Sequence, residues 1–299
     1  LGVTNPPFNA QVLALASWIC RRDFHYFIHD LHPEGLLAAG TLSHQNLLVK
    51  LWLFLNQRAY KRATTLFVLG RDMMQLLQNN YELATGRMVY IPHWSAVELP
   101  TPIPLGNSRF MEIWGLEEKF VVQYSGNMGL WHDMENLVRT AHSLQHGRDF
   151  QFVFIGNGIR KNAAVKLAKN MGVKNIIWKD FCLLDDLPES LAACHISLIS
   201  LRHGLRGIAV PCKLYGILAS GRAVVAQTPA DSEIALTVME NRCGVVVEPE
   251  NTDQLARTLV HLKNNPKEVE AMGQRAFLAY QSKYTVSSAA KNLGKYLGQ

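Results

Sequence analysis

Three short stretches of this chain combine residue types and spacings that could do chemistry. Cys212-Lys213-Leu214-Tyr215 opens an apolar run at helical spacing (Leu214, Ile217, Leu218), and Gly221 stands where a left-handed residue closes a helix. Lys213 would then lie in the first turn, beside free backbone N–H groups, where a cation is unfavourable for the helix alone but suits a bound phosphate. Spacing alone describes a surface lysine at least as well. Ser125-Gly126-Asn127-Met128-Gly129 follows an apolar strand and leads towards a helix. Its glycines would let the backbone approach a ligand, and its N–H groups could cradle phosphate oxygens, although a strand-to-helix turn also needs glycine for geometry. His29-Asp30-Leu31-His32-Pro33-Glu34 ends another strand, at the edge where open α/β sheets bind ligands. His29 suits proton transfer near neutral pH, with Asp30 beside it, while His32 and Glu34 are secondary candidates for ligand contacts.

The elements that must position these residues alternate regularly. From Glu118 onward, apolar strand runs at 120–124, 151–155, 175–178, 196–201, 223–226 and 244–247 are separated by helical patterns at 135–145, 161–171, 187–193, 212–220, 232–241 and 252–264. That alternation predicts βαβ units, a parallel sheet and a Rossmann-like domain. Residues 1–115 read as part of a second α/β domain, with a helix over 8–22 and strands at 24–28, 66–69 and 88–91. The proline-rich stretch 99–104 approaches the boundary. Residues 267–298 add terminal helices. Gly156-Asn157-Gly158 also follows a strand, but Lys161 stands where a dinucleotide fingerprint has its third glycine, so these are read as turn residues and not as an NAD site. Asn46–Arg62 carries Lys50, Arg58, Lys61 and Arg62 with no acidic residue, and Leu48, Leu51, Trp52 and Leu55 share a face. Such a helix could lie on an anionic membrane or pack as a core helix with a basic edge.

Composition sets the outer limits. The 299 residues are 48% hydrophobic and 18% charged, enough for sizeable cores and too apolar for disorder. A net charge of +6 admits an anionic partner, while no dense basic run points to nucleic acid. Five scattered cysteines with no metal spacing fit a reduced, cytoplasmic setting and predict no metal site. No apolar run reaches membrane-span length.

The stretch Val210–Arg222, VPCKLYGILASGR, resembles the P-S-K-x-Y-(E/G)-x-x-A-x-G-(K/R)-P signature of family 4 glycosyltransferases, and the similarity is closest to the bacterial polysaccharide and O-antigen branch with N-acetyl-fucosaminyl transferases. The resemblance implies a GT-B architecture: two Rossmann-like domains facing across a cleft, an acceptor-side domain at 1–115, a nucleotide-sugar domain at 116–283, and a last helix at 284–299 crossing back onto the first domain. It further implies that the first domain lacks its opening strands, an N-terminal truncation. The implied reaction is metal-independent, retaining transfer of a hexosyl or N-acetylhexosaminyl group from a nucleotide-diphosphate sugar, UDP-linked by expectation, to a glycan or polyprenyl-linked acceptor. It needs no cofactor and would take place in the cytoplasm or at the inner membrane face.

By the same resemblance Lys213 and the loop Gly126, Asn127, Gly129 would hold the donor diphosphate, with Cys212 and Tyr215 alongside. The strand end from Trp178 to Phe181 would hold the nucleobase, largely through backbone groups. His29 and Asp30 would face the donor sugar, and His32 and Glu34 would be secondary contacts to the acceptor. His132 and Asn127 stand near where many members carry an Arg and a Lys. Ile208 and Gly216 occupy the positions of the family's two glutamates, so Ser232 and Glu233 are expected to supply ribose or sugar contacts instead; Ser232 serves equally as a helix N-cap. Two other readings stay open: an epimerase of the same architecture, and a non-catalytic nucleotide-sugar-binding subunit.

Overall fold

A computed structural model describes residues 1–146, 149–208 and 210–298; the last residue of the predicted terminal helix, Gln299, lies outside them. Among these residues, ten strands form two all-parallel sheets. The first sheet runs β1 (Gly2–Val3), β2 (His25–Ile28), β3 (Thr65–Val68), β4 (Met88–Tyr90), in that spatial order. The second contains β5 (Phe120–Ser125), β6 (Phe150–Ile155), β7 (Ile176–Lys179), β8 (Ile196–Ser200), β9 (Ala223–Gln227) and β10 (Gly244–Val247), arranged β10-β9-β8-β5-β6-β7. This is the doubly wound order of a nucleotide-binding domain, and its direction reverses between β5 and β8. The carboxyl ends of those two strands therefore open the crevice in which such sheets bind ligands.

The sequence explains the second sheet well. Strands β8 and β9 read ISLIS and AVVAQ, and every residue in them is buried, as expected for a sheet covered on both faces. The helix after β8 spans Lys213–Ala219, with Cys212 and Ser220 as its caps and Gly221 in the left-handed region at φ 65°. One apolar cluster binds the sheets together: Phe27 and Phe67 of the first meet Val224 and Ala226 of the second through Leu214, Tyr215 and Leu218. Helix Val286–Leu297 lies against the first sheet, its Tyr296 ring set edge-on to Phe67 at 6.0 Å.

Helix Leu47–Arg62 packs one face on the core of the first domain and leaves more apolar surface outside than a core helix with a basic edge needs. It buries Val49, Asn56, Ala59 and Tyr60, whereas Leu47, Leu48, Leu51, Phe54 and Leu55 face outward with Lys50, Arg58, Lys61 and Arg62. The neighbouring helix Asn9–Cys20 leaves Val12, Leu15, Trp18 and Ile19 exposed beside it. Among the described residues no helix is long and apolar enough to cross a membrane.

Candidate active site

The crevice at the β5/β8 switch holds a cavity of about 350 Å³ lined on one side by Ser125, Gly126, Phe181, Cys212, Lys213 and Gly216. His93 and Trp94, which follow β4 of the first sheet, close it from the other side. Both walls consist of strand ends and helix starts, so backbone geometry and not long side chains sets their separation.

Lys213 dominates the electrostatics. Its ammonium is closed off from solvent and has no hydrogen-bond partner among the described residues. It sits 3.8 Å from the centroid of the buried Tyr124 ring, a cation–π contact. Desolvation lowers its pKa from 10.5 to about 7. The helix it begins has only seven residues, so the anion attraction here comes from the side chain more than from a helix dipole.

The loop above it is built by close approach. Gly126 adopts φ 136°, and a Cβ there would meet Lys213 Cε and Nζ at 3.2 Å. Gly156-Asn157-Gly158 backs this loop directly: the Gly126 amide donates to the Ile155 carbonyl at 2.9 Å and the Met128 amide to that of Asn157 at 2.8 Å. Those two N–H groups are committed to the fold, which leaves Asn127 and Gly129 as the loop's donors towards a ligand. At Gly156, φ 129°, a Cβ would fall 2.1 Å from the Gly126 carbonyl oxygen. Gly156→Ala should therefore cost about 1–3 kcal/mol or more in stability and displace the Gly126 loop, read as a lower melting temperature together with weakened nucleotide binding. Unchanged melting would show that the two loops are not held against each other.

The predicted residues separate into groups. Phe181, Cys212, Lys213 and Gly126 line the cavity. Tyr215 lies beneath it, stacked at 5.9 Å on His93. Trp178 is turned away into the sheet core, edge-on to Phe154 at 5.1 Å, because its side-chain parity on β7 points it to the helix-covered face. His132 is buried with Nδ1 2.7 Å from the Ser200 carbonyl, and burial first, then Lys213, drives its pKa down to about 3. It is neutral and adds no charge for a phosphate.

Ser232 is the N-cap of helix Glu233–Glu240, accepting from the Ala235 amide at 3.3 Å. Glu233 is 1% exposed and its carboxylate is fully engaged across the cleft: it accepts from Arg71 N at 2.8 Å, Nε at 2.9 Å and Nη2 at 3.0 Å, and from the Tyr90 hydroxyl at 2.7 Å. Asp72 completes this clasp, accepting from the amides of Gly207 at 3.1 Å and Glu233 at 3.0 Å. The carboxylate expected to meet a sugar thus joins the two domains. Ile208, in the position of a family glutamate, inserts with Leu205 into the apolar core of the first domain.

On the first domain, His29 is half-buried at the end of β2, 5.8 Å from the His93 ring in an edge-on pair. Desolvation, then His93, lowers its pKa, so it is neutral near pH 7. Burial raises the pKa of Asp30. Glu34 is withdrawn into the core, bonded to the Tyr81 hydroxyl, and burial raises its pKa as well. The His32 backbone carbonyl accepts from Asn56 Nδ2 at 2.6 Å. His93 and Trp94 are the residues the sequence reading passed over; they follow a strand end just as His29 does, and that signal could have found them.

Comparisons with known proteins agree with this architecture. The family described as Glycosyl transferases group 1 matches residues 119–265. The probable glycosyltransferase WbjE of Pseudomonas aeruginosa is 27% identical over 259 residues, 87% of this chain and 64% of that protein. The alpha-D-kanosaminyltransferase of Streptomyces kanamyceticus is 24% identical over 188 residues, 62% of this chain and 47% of that protein. The chain thus spans less than two thirds of the length of these relatives. Among solved structures, Anabaena Alr3699/HepE in complex with UDP superposes with a TM-score of 0.75 at 15% identity, over 97% of this chain and 76% of that one. The sucrose-phosphate synthase of Thermosynechococcus elongatus gives 0.76 at 15% identity, over 96% and 71%. At such identities the structures speak to the fold alone.

Proposed function

We propose that this chain, a family 4 glycosyltransferase with the GT-B fold, moves a sugar from a nucleotide-diphosphate sugar to a hydroxyl of a growing glycan. The observation that carries this reading is the Lys213 ammonium: a buried cation without a hydrogen-bond partner among the described residues, at the wall of a cavity under a glycine loop. Negative charge gathers on the departing diphosphate in the transition state, and a fixed, desolvated ammonium stabilises it there more than in the ground state. The Asn127 and Gly129 amides would add donors. Phe181 offers an exposed ring for the nucleobase, and Leu184, Leu187 and Ile217 give the base end an apolar wall. His93, with neutral His29 behind it, faces the donor from the acceptor side and is placed to handle the proton of the attacking hydroxyl.

A UDP-linked donor, retention of configuration and independence from metal form part of the same proposal. UDP is the first nucleotide to test, because the Anabaena protein of the same fold is known in complex with it. The test is product analysis with UDP-sugars, with and without an oligosaccharide acceptor, in the presence of EDTA. Acceptor-dependent transfer with the donor's anomeric configuration kept supports the reading. Turnover of the donor alone identifies an epimerase, and binding without turnover identifies a non-catalytic partner.

The outward apolar face of helix Leu47–Arg62, rimmed by its four cations, supports contact with an anionic membrane bearing a polyprenyl-linked acceptor. Each cation near such a surface contributes roughly 1 kcal/mol. Replacing Lys50 and Arg58 by Gln should thus weaken binding to phosphatidylglycerol vesicles by roughly an order of magnitude or more in co-sedimentation. Equal binding by the variant would leave the helix no lipid role.

A further inference from the structure

A second cavity, of about 590 Å³, lies between the end of β4 and helix Val286–Leu297. Ser288, Lys291, Asn292 and Lys295 recur at helical spacing, so one helix face turns them all into it. Lys283 joins from the preceding helix. None of these three lysines pairs with a carboxylate among the described residues: Lys283 donates to Asn241 Oδ1 at 2.9 Å and Lys295 to Asn292 Oδ1 at 3.1 Å. The cavity's one acid, Glu240, is taken by Arg71. Tyr90 and Tyr296 expose ring surface to the same space.

We propose that this cavity binds an acidic saccharide. Pyranose rings present apolar C–H faces that suit tyrosine, and hydroxyls that suit Ser288 and Asn292, while the three lysines select a carboxylate-bearing chain over a neutral one. The cavity adjoins the donor site: Pro92 lines this one and His93 the other, so a single backbone segment separates them. If the proposed transfer holds, the far end of an anionic acceptor rests here while its terminal hydroxyl meets the donor; binding itself does not depend on that reading.

The test is calorimetric titration of the full chain with tetragalacturonate, maltotetraose and inorganic phosphate, beside the double variant Lys291→Gln/Lys295→Gln, with UDP binding measured in parallel. The expected result is binding of tetragalacturonate alone, weakened at least tenfold in the variant and by high salt, with UDP affinity unchanged. Equal binding of maltotetraose overturns the role of charge. Equal competition by phosphate reduces the site to a simple anion trap, and unchanged tetragalacturonate affinity in the variant places its binding elsewhere. Failure of UDP binding in the parent would count against the donor site and leave this result intact.

Discussion

Lys213→Ala weakens UDP binding by at least about 30-fold, because truncating one partner of a desolvated charge pair typically costs 2–5 kcal/mol. Turnover falls at least as far, since the lost interaction strengthens as the diphosphate departs. The same position should respond with opposite sign when no ligand is present. An ammonium without a hydrogen-bond partner and closed off from water is unfavourable, so Lys213→Met should melt higher than the parent at pH 7 while losing UDP. A lysine that merely packs would instead lower the melting temperature when replaced and leave UDP binding unchanged. The pH dependence has a definite direction. Burial depresses this pKa from 10.5 to about 7, so between those values the unfolded chain holds a proton that the folded chain lacks. Ligand-free stability therefore rises with pH across that window, and the contribution is lost as pH falls through 7. A bound diphosphate favours the charged form, so UDP binding at pH 8 should take up a proton, visible as buffer-dependent calorimetric heats. No proton uptake, or UDP affinity retained in Lys213→Ala, would end the proposal.

Glu233→Ala should be the most damaging change outside the donor pocket. The carboxylate is 1% exposed and accepts three bonds from Arg71 and one from Tyr90, all across the domain interface. Removing one partner of a buried pair costs about 3–5 kcal/mol; Arg71 keeps Glu240 and remains partly solvated, which brings the expectation to about 2–3 kcal/mol. The loss should appear as a lower unfolding midpoint and, in small-angle scattering, as a larger radius of gyration when the domains separate. An unchanged radius with lowered stability would mean that apolar contacts alone keep the domains together. A ribose ligand at Glu233 would behave differently, losing UDP affinity with no change in the free protein.

The second domain was readable from the chain because its signal is local. Strand runs such as AVVAQ and ISLIS, helices of ordinary length and Gly221 as a left-handed stop each reflect short-range rules, and the observed elements fall within a residue or two of those readings. The first domain was less legible. Strand β1 has only two residues, helices Glu34–Ala38 and Arg109–Ile113 only five each, and helix Arg71–Tyr81 carries a polar sequence whose role is set by partners on the other domain. At the site, Lys213 and Gly126 stood out by residue type, but spacing alone described a surface lysine and a plain turn equally well. The resemblance of residues 210–222 to a family signature favoured the phosphate reading, and only the fold brings the two together. Glu233 could not be placed: its partner Arg71 is 162 positions distant in the chain, and only tertiary structure decides whether a buried carboxylate meets a ligand or an arginine. The Trp178 side chain could not be assigned a face for a simpler reason, since one residue of register on β7 decides which side of the sheet it takes.

The loop bearing Leu205 and Ile208 has a thermal consequence. Both residues, 4% and 5% exposed, come from the second domain yet complete the apolar core of the first, with the Leu31 amide bonded to the Ile208 carbonyl at 3.1 Å. Parting the domains therefore hydrates hydrocarbon as well as breaking ion pairs. Hydrating hydrocarbon raises the heat capacity, so the enthalpy of opening grows with temperature and passes through a shallow range where entropy alone resists it. The cleft is thereby tuned by warmth as well as by charge.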